Sequence, residues 1–183
     1  MARLIYSSIS SLDGYIADRD GDFRWAAPDA EVHGFINDLQ RSSRTWLFGR
    51  RTYDVMTAWE TIDNDAPEMR DFAEQWHAAD KLVFSRTLDR VDTARTDLRR
   101  DFDATEVARL KDRSEHDLVI GGPGIAAEAL RAGLVDEILQ FVCPVVVGGG
   151  TRFLPDGLRM SLQLLEERRF DASDVVYLRY RVA

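Results

Sequence analysis

The chain has 183 residues, 45% hydrophobic and 31% charged, with a formal net charge of −8 and a pI near 4.9. This suits one folded core, with a single domain spanning residues 1–183, and it excludes the basic face that nucleic-acid backbones require, though a local arginine cluster can still hold a small anion. No apolar run approaches the ~20 residues of a membrane span, and "MARLIYSSIS" lacks the apolar core of a signal peptide, so no membrane partner is expected and the expected compartment is the cytoplasm.

Residues 3–10 (RLIYSSIS), β-branched and aromatic, predict a first strand. Two Asp-Gly turns in LDGYIAD and RDGDFRW predict a long loop. DAEVHGFINDLQRSS (29–43) carries Val32, Phe35, Ile36 and Leu39 at helical spacing. TWLFG (45–49) predicts a short buried strand and RRTYDVMTAW (50–59) a short helix. Pro67 opens another helix, with Met69, Phe72, Ala73 and Trp76 on one face. KLVFS (81–85) and ARTDL (94–98) follow as strands, DATEVARLKDRS (103–114) as a helix, DLVIG (117–121) as a strand. PGIAAEALRAG (123–133) predicts a helix stopped by Gly133. DEILQFVCPVVVGGG, LQLLEERRF and DVVYLRYRVA then predict strands with no helix between them. The order predicts an α/β fold, mostly parallel, with an antiparallel C-terminal part. Such an edge also predicts self-association.

Three strands in this reading end in the same way. Gly121, Gly122, Pro123 and Gly124 lie between a strand and a helix, where backbone N–H groups can approach a phosphate at a helix N-terminus. A tight structural turn is the alternative reading. Gly49 ends another strand, and Arg50, Arg51 and Thr52 open the next helix. Two arginines there oppose the helix macrodipole unless an anion compensates. Ser85, Arg86 and Thr87 end a third strand. Ligands of open α/β sheets sit at the carboxyl ends of strands. The combination suits a nucleotide with a pyrophosphate and an extra phosphate, NADPH rather than NADH, yet no GxGxxG follows the first strand. The later run VVVGGGT (145–151) precedes no helix and reads as a structural turn.

SISSLDGYIAD, LFGRRTYDVM, LVFSRT, LVIGGPGIAAEAL and VDEILQFVCPVVVGGGTRF, in that order, resemble the dihydrofolate reductase-like superfamily. The chain is most similar there to the pyrimidine reductase domain of riboflavin biosynthesis, the C-terminal domain of the bacterial bifunctional deaminase-reductase. The resemblance implies a three-layer fold, a mixed, mostly parallel sheet with helices on both faces. It implies an NADPH-dependent reductase acting on a pyrimidine- or pterin-like heterocycle, and a homodimer. It places Ile16 and Ala17 beside the nicotinamide, Gly49–Thr52 at the phosphates near the adenosine, Ser85 and Arg86 at the ribose phosphate, and Gly121–Ile125 around the pyrophosphate. It also implies a cis bond between Gly121 and Gly122. A dihydrofolate reductase proper and a non-catalytic NADP-binding protein are the alternatives.

The proton donor is the open element. The acid that dihydrofolate reductases carry on the first helix, counted from Trp25, falls here on Ala30, between Asp29 and Glu31. Asp29 is the candidate catalytic acid, with helix capping as the alternative. Gly34, Phe35 and Ile36 stand where riboflavin-pathway enzymes carry a phosphate-binding arginine. Tyr6, Phe23, Trp25, Phe35 and Tyr53 are candidates to stack on a planar ring, with core packing the commoner fate. Trp25 and Gln140 are the candidate substrate contacts. Cys143 reads as a packed thiol, and His33, His77 and His116 show no metal spacing.

Overall fold

The computed structural model describes residues 2–183. The elements run β1 (Leu4–Ser11), β2 (Tyr15–Ala17), α1 (Ala30–Gln40), β3 (Thr45–Gly49), α2 (Arg50–Met56), α3 (Pro67–Ala78), β4 (Asp80–Phe84), β5 (Thr96–Arg99), α4 (Ala104–Arg113), β6 (Leu118–Gly121), α5 (Pro123–Arg131), β7 (Glu137–Cys143), β8 (Thr151–Arg152), β9 (Leu162–Arg169) and β10 (Val176–Val182). Eight strands form one sheet in the order β5-β4-β3-β6-β1-β7-β10-β9. The pairs from β5 to β7 are parallel; β7–β10 and β10–β9 are antiparallel.

The middle strands are apolar on both sides because both faces are covered. Leu4 and Tyr6 of β1, with Leu47, Leu118, Ile120 and Ile138, pack under Val107 of α4 and Ile125, Ala126, Ala129 and Leu130 of α5. On the opposite face Ile5, Leu139, Phe141 and Tyr177 meet Val32 of α1. Trp46, Phe48, Val83 and Val119 meet Phe72 and Trp76 of α3. This is the expected three-layer, mostly parallel sheet with an antiparallel C-terminal part. Lys81, 1% exposed, closes the end of α3. Its Nζ donates to the carbonyls of Trp76 (2.8 Å) and Ala79 (3.0 Å) and lies 4.6 Å from the Trp76 ring centre.

Three expectations are corrected. The loop expected after β1 contains β2, which pairs antiparallel with β8. The strand expected over 136–150 ends at Cys143, because Pro144 has no N–H for the ladder. Among the described residues no peptide bond is cis, so the Gly121–Gly122 link is trans. The sharp strand-to-helix turn is made instead by Gly122, at φ +92°, a region closed to larger residues.

Candidate cofactor cradle and active site

The parallel register brings the strand ends together. Phe48 stands opposite Gly121, Gly49 opposite Phe84, and Ser11 opposite Cys143. Residues 12–14, 49–52, 85–87, 121–125 and 144–150 therefore gather along one edge of the sheet.

Two helices at that edge open without protection. α1 and α4 are capped by Asp29 and Asp103, whose carboxylates accept from first-turn N–H groups. α2 and α5 start from Gly49 and Gly122, with no side-chain cap and no acid in the first turn. Their leading N–H groups have no intrahelical partners. The two turns interlock. A Cβ on Gly122 would overlap the Thr52 hydroxyl oxygen, one on Gly121 would lie 3.0 Å from Phe48 Cε1, and one on Gly49 would lie 3.8 Å from Ile125 Cβ. Gly124 is exposed and open on its outer side. The surface is thus backbone lined by Gly49, Thr52, Gly122, Pro123, Gly124 and Ile125, which fits a pyrophosphate.

Arginines flank this backbone. Arg50 Nη1 donates to Thr87 Oγ1 at 2.7 Å and its Nε lies 3.5 Å from Asp54. Arg51 is exposed and forms no ion pair or side-chain hydrogen bond among the described residues. Arg86 pairs with Asp101. The buried Ser85 hydroxyl accepts from the N–H groups of Thr87 (3.3 Å) and Leu88 (3.0 Å), so it shapes its own loop. Arg100, which sequence reasoning missed, braces that loop by donating to the Leu88 carbonyl at 2.6 Å. A cleft of about 450 Å³ runs between Arg50, Thr87, Leu88, Asp89, Arg90 and Asp92.

The β2 edge is held from a distance. Ile16 packs on the α5-side core, and Ala17 pairs with Thr151. Asp13 accepts from the N–H groups of Val147 (3.2 Å) and Gly148 (2.8 Å). The Ser11 hydroxyl and these amides keep its carboxyl below the ordinary range. A side chain on Gly150 would run into the Ala17 carbonyl, so the second glycine run lets two backbones touch.

On the α1 side, Asp29 Oδ1 accepts from Val32 N–H at 2.8 Å, while Oδ2 is buried without a partner. Capping therefore uses only half of this carboxylate. Glu31 is exposed and paired with Arg168 at 2.7 Å. Trp25 lies half-buried against the Val32 cluster, its Nε1 donating to the Asp22 carbonyl. Gln140 sits apart from them: it alternates with Leu139 and Phe141, so it faces the α5 side, where Nε2 donates to Ser10 Oγ at 2.8 Å. Three of the aromatic candidates pack in or against the core. Tyr6 stacks on Phe153, Phe35 packs edge-on against Phe170 and Tyr177, and the Tyr53 hydroxyl bonds Thr93. Phe23 is 45% exposed. Burial pushes the Cys143 thiol pKa up. Among the described residues no group of three or more His, Cys, Asp or Glu is placed to hold a metal, and no helix is long and apolar enough to cross a membrane.

Residues 2–176 match the family model of the RibD C-terminal domain. The uncharacterized protein YyaP of Bacillus subtilis is 29% identical over 180 residues, covering 97% of this chain and 94% of YyaP. A diaminohydroxyphosphoribosylaminopyrimidine deaminase/5-amino-6-(5-phosphoribosylamino)uracil reductase from Thermotoga maritima superposes with a TM-score of 0.69 at 17% identity, over 100% of this chain and 57% of that one. Dihydrofolate reductase from Enterococcus faecalis, complexed with NADP(H), gives 0.63 at 14% identity, over 98% and 96% of the two chains.

Proposed function

For this chain, which belongs to the RibD C-terminal domain family, we propose an NADPH-dependent reductase of a pyrimidine- or pterin-like heterocycle, similar to 5-amino-6-(5-phosphoribosylamino)uracil reductase. The observation that carries it is the pair of uncapped, acid-free helix starts, α2 and α5, interlocked through Thr52 and Gly122 beside the unpaired Arg51. Gly122–Ile125 and Gly49–Thr52 would hold the phosphates, with Arg51 matched to a dianionic group. Bound there, the nicotinamide supplies the hydride. Ile16 and Ala17 would border its ring and shield it from water. Asp29 Oδ2, buried and unpaired, would hold the proton destined for the substrate nitrogen. Ala30, where dihydrofolate reductases carry their acid, speaks against a folate substrate.

The test is a titration with NADPH and NADH, read by energy transfer from tryptophan, on wild type and Arg51→Ala. NADPH should bind at least tenfold more tightly than NADH, and the variant should lose about tenfold for NADPH, consistent with one charge-assisted contact of about 1.5–3 kcal/mol. Absence of binding by either nucleotide overturns the reading. A panel of oxidised pyrimidines and pterins then separates a reductase from a non-catalytic binder.

We also propose self-association through β9, one of the sheet's two outer strands, where Leu162 and Leu164 are 38% and 48% exposed. Leu164→Lys should shift a dimer to monomer in analytical ultracentrifugation. A wild-type monomer at 100 µM, roughly the top of a useful range for weak pairs, refutes it.

A further inference from the structure

The described residues contain eight buried side-chain polar atoms without a hydrogen-bond partner, and five of them belong to α1, its two flanks and α3. They are Asp29 Oδ2, His33 Nδ1, Asn37 Oδ1, Gln75 Oε1 and Ser43 Oγ. Asp29 caps α1, and His33 and Asn37 follow it at every fourth residue, both in contact with α3. His33 packs against Trp59 and Phe72, with ring centres 5.8 and 5.6 Å away, and Asn37 Nδ2 donates to the Glu68 carbonyl at 2.8 Å. His33 and Asn37 are 9% and 0% exposed. Next along the α1–α3 seam, the Arg41 guanidinium holds the Asp71 carboxyl below its ordinary range, and Gln75 Nε2 donates to the same carboxylate at 3.2 Å. Beyond Gln75 the seam opens into a cleft of about 230 Å³ lined by Arg41, Ser43, Arg44, Asp71, Glu74 and Gln75. That cleft lies at the start of β3, the end of the sheet opposite the cradle.

Buried polar atoms in folded proteins are nearly always satisfied, by protein or by ordered water. Five such atoms in one file call for a common partner. The spacing supplies the geometry. Four residues of helix rise about 6 Å, the span of two hydrogen bonds of about 2.8–3.0 Å meeting at one water.

We propose that the α1–α3 seam is a water-filled proton path joining the Asp29 carboxyl to solvent at the Ser43–Gln75 cleft. This rests on the reductase reading for what the proton is used for. Asp29 gives its proton to the substrate nitrogen as the hydride reaches carbon. The resulting carboxylate takes a proton from the adjoining water. That water is resupplied by the next, and solvent at the cleft provides one proton per turnover. His33 Nδ1 and Asn37 Oδ1 act as acceptors that orient the file, and neither changes protonation. They are positioning residues. The arrangement lets the cradle side close against water while protons enter from behind.

The test uses the nucleotide-free protein and water itself as the probe. In 15N-labelled wild type, magnetisation transfer from water should reach the His33 ring protons and the Asn37 side-chain amide, and the amide should exchange rapidly. Gln75→Leu, at the mouth, and Asn37→Leu, in the middle, should each abolish the transfer to His33. In Gln75→Leu the Asn37 amide exchange should slow at least tenfold, with the spectrum elsewhere unchanged. No water contact at His33 and Asn37 in wild type overturns the proposal, and so does undiminished transfer in the variants. If a variant fails to fold, the wild-type contacts decide alone. A dry seam leaves the reductase reading standing, and a failure to bind NADPH leaves the hydration result as it is.

Discussion

Gly122→Ala tests the interlock between the two phosphate turns without any ligand. Two separate penalties apply. The residue sits at φ +92°, and holding a side-chain-bearing residue in such a region costs about 1–3 kcal/mol. The new methyl would also overlap the Thr52 hydroxyl and stand 3.2 Å from Thr52 Cβ. Overpacking of that kind costs about 1–3 kcal/mol. The sum is about 2–6 kcal/mol, or a fall in melting temperature of about 2–4 °C per kcal/mol for a chain of this size. The two parts separate in a double-mutant cycle. Thr52→Ala removes the hydroxyl but not the backbone strain, so it should recover about half of the loss. Urea unfolding of the four proteins measures this. A Gly122→Ala variant that loses less than about 1 kcal/mol, or a cycle with no coupling, refutes the interlocked geometry.

Two further predictions concern buried charge. Lys81→Met should lower stability by about 2–4 kcal/mol in urea unfolding, because the carbonyls of Trp76 and Ala79 lose their shared donor inside the core. His33 is held below the ordinary histidine range by burial, against the opposing pull of Glu68 and Asp71. The unfolded chain therefore takes up that proton first as pH falls below about 6.5. Stability present above that pH should decline as pH falls through the folded-state value. His33→Gln should flatten this slope, and an unchanged slope would place the titration elsewhere.

The strand ends were readable from sequence because their signals are local. Gly121–Gly124 and Gly49–Thr52 announce turns by composition alone, and the stripe of Val32, Phe35, Ile36 and Leu39 announces the buried face of α1. What was missed depends on distant partners. β2 is too short to show a period, and it exists because β8, more than 130 residues later, pairs with it. Arg100 resembles any surface arginine until the 85–89 loop folds over it. Gln140 carries no mark of which sheet face it joins, since β7 is apolar on both. The seam was invisible for a related reason: nothing local distinguishes His33 and Asn37 from exposed helix residues, and it is α3 that meets them, through Phe72 and Glu68.

β1 precedes both of its neighbours in the chain and sits inside the sheet. Its neighbours are β6, where Tyr6 meets Ile120, and β7, where Ser11 meets Cys143. From Ser11, the end of β1, synthesis must therefore run on to Gly121 before β6 is complete and to Cys143 before β7 is. Until then an apolar strand with two open edges has to be kept from other chains. Closing loops of that length is slow, and a half-made sheet of this kind is prone to aggregate. Expression of this protein should thus be more sensitive to translation speed and chaperone supply than its finished stability suggests. A permuted chain that begins at the 114–117 turn, placing β6, β7 and β1 close in sequence, should refold faster than the natural order.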